Sequence, residues 1–281
     1  MDQAGTVIIG VIYNTYQETF RYLQSITPLL NYDISLILVD NSDSGKSSDL
    51  KSKIAAYPGI QYIDTGKNLG YFGGANEGLR CYLRDHSRYP RWILVTNVDI
   101  VFTPHFFHRL NELDNTPDLG VVAPSIISKK WSSDYNPKIL IRYSKGKLRF
   151  YRFLYSSFLI HNLFLLVAYF KKWLVGFRKG KDQSTFNTGQ KERKIYAPHG
   201  SCLVFSQEYF TRGGTLNLPN FLFGEEILVG ETALKLGLDV IYHPEMVIYD
   251  YEHASTGFFV TPKINGYNRE AIRSVLARYY Q

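Results

Sequence analysis

The chain has 281 residues, 45% of them hydrophobic, which is enough to bury a sizeable core in one large α/β domain or two small ones. Its two cysteines exclude a disulfide framework and a cysteine–histidine metal cluster, and they fit a reducing compartment. The net charge of +7 belongs to one segment: residues 135–181 hold eleven Lys or Arg and no acid, which leaves the rest of the chain at −4.

In chain order, residues 7–13 form a continuous apolar strand. The Met-Asp-Gln start ahead of it has neither a basic stretch nor a cleavage site, so the protein is expected in the cytosol. Residues 16–30 show helical spacing at Phe20, Leu23, Ile26 and Leu30, and 35–39 form a second buried strand that ends at Asp40-Asn41-Ser42. A third strand at 60–63 leads into a glycine-rich stretch, 68–78, that opens a helix through Leu83, and Trp92 begins a fourth strand. This β-α-β-α order predicts a mostly parallel, doubly wound sheet with helices on both faces and ligands at the carboxyl ends of the strands.

Three features sit at such ends. Asp40 can cap the next element or accept the imide N–H of a uracil or thymine ring, and the residue alone does not choose. Gly70, Gly73 and Gly74 do not make the G-x-G-x-x-G fingerprint and follow the third strand rather than the first, which excludes a dehydrogenase. They permit either a tight turn or a close approach of backbone N–H groups to a phosphate at a helix start. Asn97 and Asp99 lie two apart, and alternation along a strand sends both to one face. There an amide and a carboxylate oxygen can hold one hard cation against a diphosphate, the competing role being an ordinary turn.

Within the basic segment, residues 153–170 carry no formal charge over eighteen positions, the lower length limit of a membrane-spanning helix. One crossing would put the two halves of a shared active site on opposite sides of a bilayer. The expectation is therefore an interfacial helix, with aromatics and leucines in the acyl boundary and flanking cations on anionic headgroups, each worth about 1 kcal/mol. A buried helical hairpin with a basic rim is the alternative. No nucleic-acid module accompanies the basic run, so no nucleic-acid partner is expected. Residues 265–281 read as an amphipathic helix with Arg269, Arg273 and Arg278.

The ordered set Val11-Ile12-Tyr13-Asn14, Val39-Asp40-Asn41-Ser42, Asn68-Leu69-Gly70-Tyr71-Phe72-Gly73-Gly74-Ala75-Asn76 and Asn97-Val98-Asp99 resembles glycosyltransferase family 2, of the GT-A fold. It is most similar to the bacterial branch with rhamnosyltransferases of cell-wall and capsule polysaccharides. Downstream, Phe223-Gly224-Glu225-Glu226 resembles that family's acidic motif. The resemblance covers residues 5–125 and 195–260. It implies a single domain over 1–281, divided into a nucleotide-sugar-binding half at 5–125, a helical basic and apolar insertion at 138–190, an acceptor and catalytic half at 195–260, and a C-terminal helix at 262–281.

What the resemblance implies is an inverting, metal-dependent transfer of a sugar, dTDP-rhamnose favoured, onto a polyprenyl-diphosphate-linked saccharide. The enzyme would be peripheral, on the cytoplasmic face of the plasma membrane. UDP-sugar donors carrying galactofuranose, GlcNAc, glucose or galactose are the alternative, as is a homologue that binds nucleotide-sugar at the membrane without turnover. A nucleotidyltransferase would need a glycine- and arginine-rich loop with a lysine after the first strand, and Asn14-Thr15-Tyr16-Gln17-Glu18 lacks it. By the resemblance, Tyr13, Asn14, Asp40, Asn68, Gly70, Gly73, Gly74, Asn76, Asn97 and Asp99 contact the donor. Mg²⁺ or Mn²⁺ would sit on Asp99 and Asn97, with His253 or Asp250 completing the set. Glu226 falls on the base position with Glu225 its neighbour and competitor. His199, Gly200 and Ser201, on a small-residue strand at 198–204, line the acceptor. Two departures stand out: Asn97 where the family more often has Asp, and Glu226 where it usually has the shorter Asp.

Overall fold

The computed structural model describes residues 5–29, 33–42, 47–57, 59–114, 116–178, 190–251 and 260–280. The four predicted strands are present as β1 (Thr6–Ile12), β2 (Ile34–Asp40), β3 (Ile60–Asp64) and β4 (Trp92–Asn97). They pair in parallel in the order β3-β2-β1-β4. Every residue of β1 is buried, because alternate side chains enter two different cores. Val7, Ile9 and Val11 pack with α3 (Tyr71–Asp85), whereas Ile8 and Ile12 pack with α1 (Tyr16–Ile26), α2 (Ser47–Ile54) and α4 (Pro104–Glu112). A strand covered on both faces has to be apolar throughout, which is why these strands are continuous hydrophobic runs. Gly78 lets α3 lie close to the sheet, since a Cβ there would come within 2.6 Å of Ile9 Cγ2.

Beyond β4 the sheet becomes mixed. β5 (Ile100–Phe102), β6 (Leu119–Ser128), β7 (Arg193–Ile195), β8 (Cys202–Ser206) and β9 (Asp239–Asp250) complete the order β3-β2-β1-β4-β8-β6-β9-β5, with β7 also on β9. β8 is antiparallel to β4 and β6, while β6 and β9 run parallel. The α/β class holds, and the parallel pairing is concentrated in the first half.

Three local expectations are corrected. The first helix ends at Ile26 and continues as a 3-10 turn, Thr27–Leu29, where Pro28 has no N–H to give the helix. β4 stops at Asn97, whose N–H donates to Ser201 O (3.0 Å); the chain then bends at Val98 and Asp99, and Ile100 starts a strand on the opposite edge of the sheet. Asn97 and Asp99 are therefore not related by alternation on one strand. The strand expected at 198–204 begins only at Cys202, and Gly200 and Ser201 form the turn before it.

The insertion is two helices, not the single interfacial helix expected at 153–170. They are α5 (Lys145–Leu154) and α6 (Phe158–Arg178), bent by 110° relative to each other. Ser144 Oγ caps α5 by accepting from Lys147 N (3.2 Å), and Ser157 Oγ accepts from Leu159 N (3.2 Å) after the break. α5 docks on α8 (Glu225–Lys235) and α9 (Pro262–Tyr279) through a third core that includes Leu148, Ile227, Leu228, Ile272 and Val275. α7 (Gln207–Thr211) follows β8. Among the described residues, no single helix is long and apolar enough to cross a membrane.

One ion pair, buried on its Glu231 side and open to solvent at Arg142, braces this docking. Arg142 Nε and Nη2 each donate to Glu231 at 2.8 Å, and Tyr196 OH donates to the same carboxylate at 2.6 Å. Burial opposes charge on Glu231, but the Arg142 and Tyr196 hydrogen bonds outweigh it and hold the carboxyl below its usual range. Removing Arg142 leaves an uncompensated charge on a side chain only 4% exposed. Arg142→Ala should lower stability by about 2–4 kcal/mol in thermal or urea unfolding, and Arg142→Met with Glu231→Leu should recover most of it. An unaffected single variant would mean that the pair is not needed to hold α8.

Candidate active site

The nucleotide-side residues gather at the carboxyl ends of β1 to β4. Asp40 is fully buried; one oxygen accepts from Ser42 N (2.9 Å) in a local turn and the other from Tyr62 OH (2.7 Å). Asn14 adopts a left-handed φ of 56° and donates its N–H to Ser42 Oγ (2.9 Å), next to Tyr13, whose ring is exposed. In the glycine-rich stretch, Asn68 Oδ1 accepts from Gly70 N (2.9 Å), and Gly70 itself has φ 77°. A Cβ on Gly70 would lie 2.1 Å from Phe221 O, and one on Gly74 would lie 2.6 Å from Asn41 Nδ2. The protein itself takes the space at both glycines. Gly73, against Leu69 Cβ, and half-buried Asn76 follow in the first turns of α3.

Asn97 and Asp99 flank the bend after β4. Asp99 O accepts from Tyr251 N (3.1 Å), and Ile100 pairs with Asp250, a buried carboxylate at the end of β9. Asn97, Asp99 and Asp250 each carry oxygen donors, the kind that suits Mg²⁺ or Mn²⁺ and not a thiolate-seeking metal. Among the described residues no three His, Cys, Asp or Glu side chains converge on one point. His253 lies outside the described residues.

The acidic pair is set by a strained turn. Phe223 (φ 67°) and Gly224 (φ 76°) are both left-handed, and they reverse the chain so that Glu225 and Glu226 occupy the first turn of α8. Such a φ is costly for a bulky side chain and is tolerated where its surroundings impose it. Gly200 lies directly against both acids: a Cβ there would be 3.4 Å from Glu225 Oε1 and 3.6 Å from Glu226 Oε1. Tyr71 OH donates to Gly200 O (2.8 Å), joining the glycine-rich loop to the acidic pair across 129 residues of sequence. His199 N donates to Asn136 Oδ1 (2.8 Å), and its ring stacks on Tyr135 at 4.9 Å. Ser201 N donates to His199 Nδ1 (3.2 Å), which puts the ring proton on Nε2. Burial and then the Lys138 charge push the His199 pKa down to about 3, so the ring is neutral. Cys202 is buried, and burial pushes its thiol well up, away from a nucleophile's range.

Tyr71, Tyr135 and Asn136 were not among the candidates from sequence. Only Tyr71 carried a signal, as an aromatic at the start of a helix after Gly70.

Burial, reinforced by the adjacent Glu226 carboxylate, pushes Glu225 up to about 8. A carboxyl raised in the folded state adds most stability while both states are protonated, and that contribution is lost as pH rises through the interval from its ordinary value to about 8. Glu225→Gln should therefore melt like wild type near pH 4 and be more stable at pH 9, by on the order of 1–3 kcal/mol. Scanning calorimetry at the two pH values reads this, and a gap of equal size at both would contradict it.

Solved glycosyltransferases share this architecture. GalNAc-T7, solved with UDP, GalNAc and Mn²⁺, superimposes on 98% of this chain and 48% of its own with a TM-score of 0.61 at 11% identity. The mannosyltransferase PcManGT of Pyrobaculum calidifontis, solved with GDP-Man and Mn²⁺, covers 97% of this chain and 74% of its own with a TM-score of 0.51 at 14% identity. The fold is thus that of the GT-A glycosyltransferases. The sequence profile described as Glycosyl transferase family 2 matches residues 7–210, and the chain belongs to that family.

Two curated relatives narrow the similarity. The low-salt glycan biosynthesis hexosyltransferase Agl10 of Haloferax volcanii is 26% identical over 220 residues, which is 78% of this chain and 58% of that protein. The N-acetylglucosaminyl-diphospho-decaprenol L-rhamnosyltransferase of Mycobacterium tuberculosis is 21% identical over 256 residues, 89% of this chain and 77% of its own length.

Proposed function

We propose that this protein is an inverting glycosyltransferase that moves a sugar, dTDP-rhamnose favoured, from a nucleoside diphosphate to a lipid-linked saccharide. The observation that carries the reading is the convergence at Gly200. Two carboxylates meet a glycine that has no side chain to fill the space, and Tyr71 ties the same glycine to the nucleotide-side loop. In this reading Glu226 removes the acceptor hydroxyl proton, and the acceptor oxygen attacks the anomeric carbon as the bond to the leaving diphosphate breaks on the opposite face. Glu225, held largely protonated near neutral pH, can serve as a hydrogen-bond donor beside it. His199, the residue before Gly200, carries a neutral Nε2–H donor. Asp99, with Asn97 and Asp250 or His253, would hold Mg²⁺ or Mn²⁺, which when bound neutralises charge on the leaving group.

The acceptor class is supported by the mycobacterial relative, whose name specifies a decaprenol diphosphate acceptor, and by the insertion. α6 exposes Leu159, Leu163, Val167, Tyr169 and Phe170 next to the cations of α5, the composition of an interfacial helix on an anionic membrane. Co-flotation with vesicles should rise steeply with phosphatidylglycerol content and fall with salt, and no co-flotation would remove the membrane part. Release of nucleoside diphosphate in a screen of dTDP- and UDP-sugars, stimulated by a prenyl-diphosphate-linked GlcNAc acceptor, tests the transferase part. Asn97 in place of a carboxylate favours one competing reading, a binder without turnover, and acceptor-stimulated release would sink it.

A further inference from the structure

We propose that Tyr143, Lys147 and Tyr151 form the docking site for the diphosphate of the lipid-linked acceptor, between the acidic pair and the apolar surface of α5 and α6. The assignment rests on the acceptor class proposed above. It starts from backbone anchors. Arg142 is pinned to Glu231 of α8, and the carbonyl of the next residue, Tyr143, accepts from Tyr280 OH (2.9 Å), so Tyr143 is held beside the helix that carries Glu225 and Glu226. From Tyr143 a row of half-buried rings leads away: Tyr151 at 5.9 Å, Tyr155 stacked on it at 5.9 Å and 5°, then His161 of α6 at 4.7 Å. From Tyr151 the contacts also branch to Phe150, exposed on α5, at 6.1 Å, and Phe150 meets Phe164 of α6 at 6.1 Å.

One cation lies over this row. Lys147 Nζ sits 3.7 Å from the Tyr143 ring centroid and 5.9 Å from that of Tyr151. Among the described residues it has no carboxylate within ion-pair distance, so its charge is held in place by ring faces and left available to an anion. A compact ammonium flanked by phenol groups is suited to phosphate oxygens. The neighbouring exposed Phe150 and Phe164 offer an apolar continuation for a prenyl chain, while at the Tyr143 end the Glu226 charge is near enough to act on the phenol. Row, cation and apolar end thus follow the order of a saccharide-diphosphate-prenyl molecule.

The test is binding of farnesyl diphosphate to the full chain by calorimetry, with UDP or dTDP and Mn²⁺ saturating the nucleotide site. Lys147→Gln should weaken binding at least ten-fold, and Lys147→Arg should retain most of it. Arg149→Gln removes the same charge from another face of α5 and should change binding less than two-fold. Farnesol, without the diphosphate, should bind all variants equally. Absence of farnesyl diphosphate binding in wild type, equal losses in Lys147→Gln and Arg149→Gln, or an equal loss for farnesol would each overturn the site. Acceptor-stimulated nucleoside diphosphate release is measured independently, so failure of the transferase reading is seen apart from failure of this one.

Discussion

Glu226→Gln should lower turnover by about three orders of magnitude while leaving nucleotide-sugar affinity within two-fold. General-base assistance contributes roughly 10²–10⁴-fold, and an amide of the same shape cannot take the acceptor proton. The substitution also removes the neighbouring charge that, after burial, raises Glu225, so any residual turnover carried by Glu225 should rise with pH as that carboxyl ionises. The variant is conservative in volume, and the side chain is half-buried at the start of a helix, so the fold should survive. Steady-state kinetics with saturating acceptor and calorimetry with the nucleotide alone separate the two effects. Turnover equal to wild type would pass the base role to Glu225.

Asp99→Ala should abolish the metal dependence of nucleotide binding. With Asn97 in the other position of the motif, Asp99 supplies the only carboxylate of that pair, and an amide is a weaker ligand for a hard cation. Affinity for UDP or dTDP in Mn²⁺ should drop roughly a hundred-fold, to the level wild type shows in chelator, a loss of the size expected when charge neutralisation of a diphosphate is removed. If Mn²⁺ still strengthens binding to the variant, Asp250 and His253 carry the metal and Asp99 is a turn residue.

The first half of the fold was legible because β1, β2 and β4 are largely buried on both faces and hence apolar runs, with helical spacing after β1 and a glycine turn after β3. The second half was not. Nothing near Asn97 announces that the chain leaves the sheet and returns on its far edge as β5, because the apolar run Ile100-Val101-Phe102 looks like a continuation. The break between α5 and α6 was hidden inside a run without charge, although Ser156-Ser157 offered capping residues there. In the site, the motifs brought Gly200 and the acidic pair into view separately. The contacts that unite them, Tyr71 with Gly200 and Arg142 with Glu231, span 129 and 89 residues and leave no local pattern.

The way the insertion is fastened decides where the chain can be shortened. Excising it at its sequence boundaries would strip Glu231 of Arg142 and open the core shared by Leu148, Ile227 and Val275, so the helix bearing the acidic pair would lose its footing. Among the described residues the attachment continues through His161, which shares a hydrogen bond with Asn265 (2.9 Å), and Asn162, which bonds the backbone of Val260 in both directions, and Phe164 still meets Phe150 of α5 at 6.1 Å. Past that point lie Leu166, Val167, Tyr169 and Phe170, all outward-facing. A soluble form for biochemistry would therefore keep everything through Phe164 and replace exposed apolar side chains only beyond it.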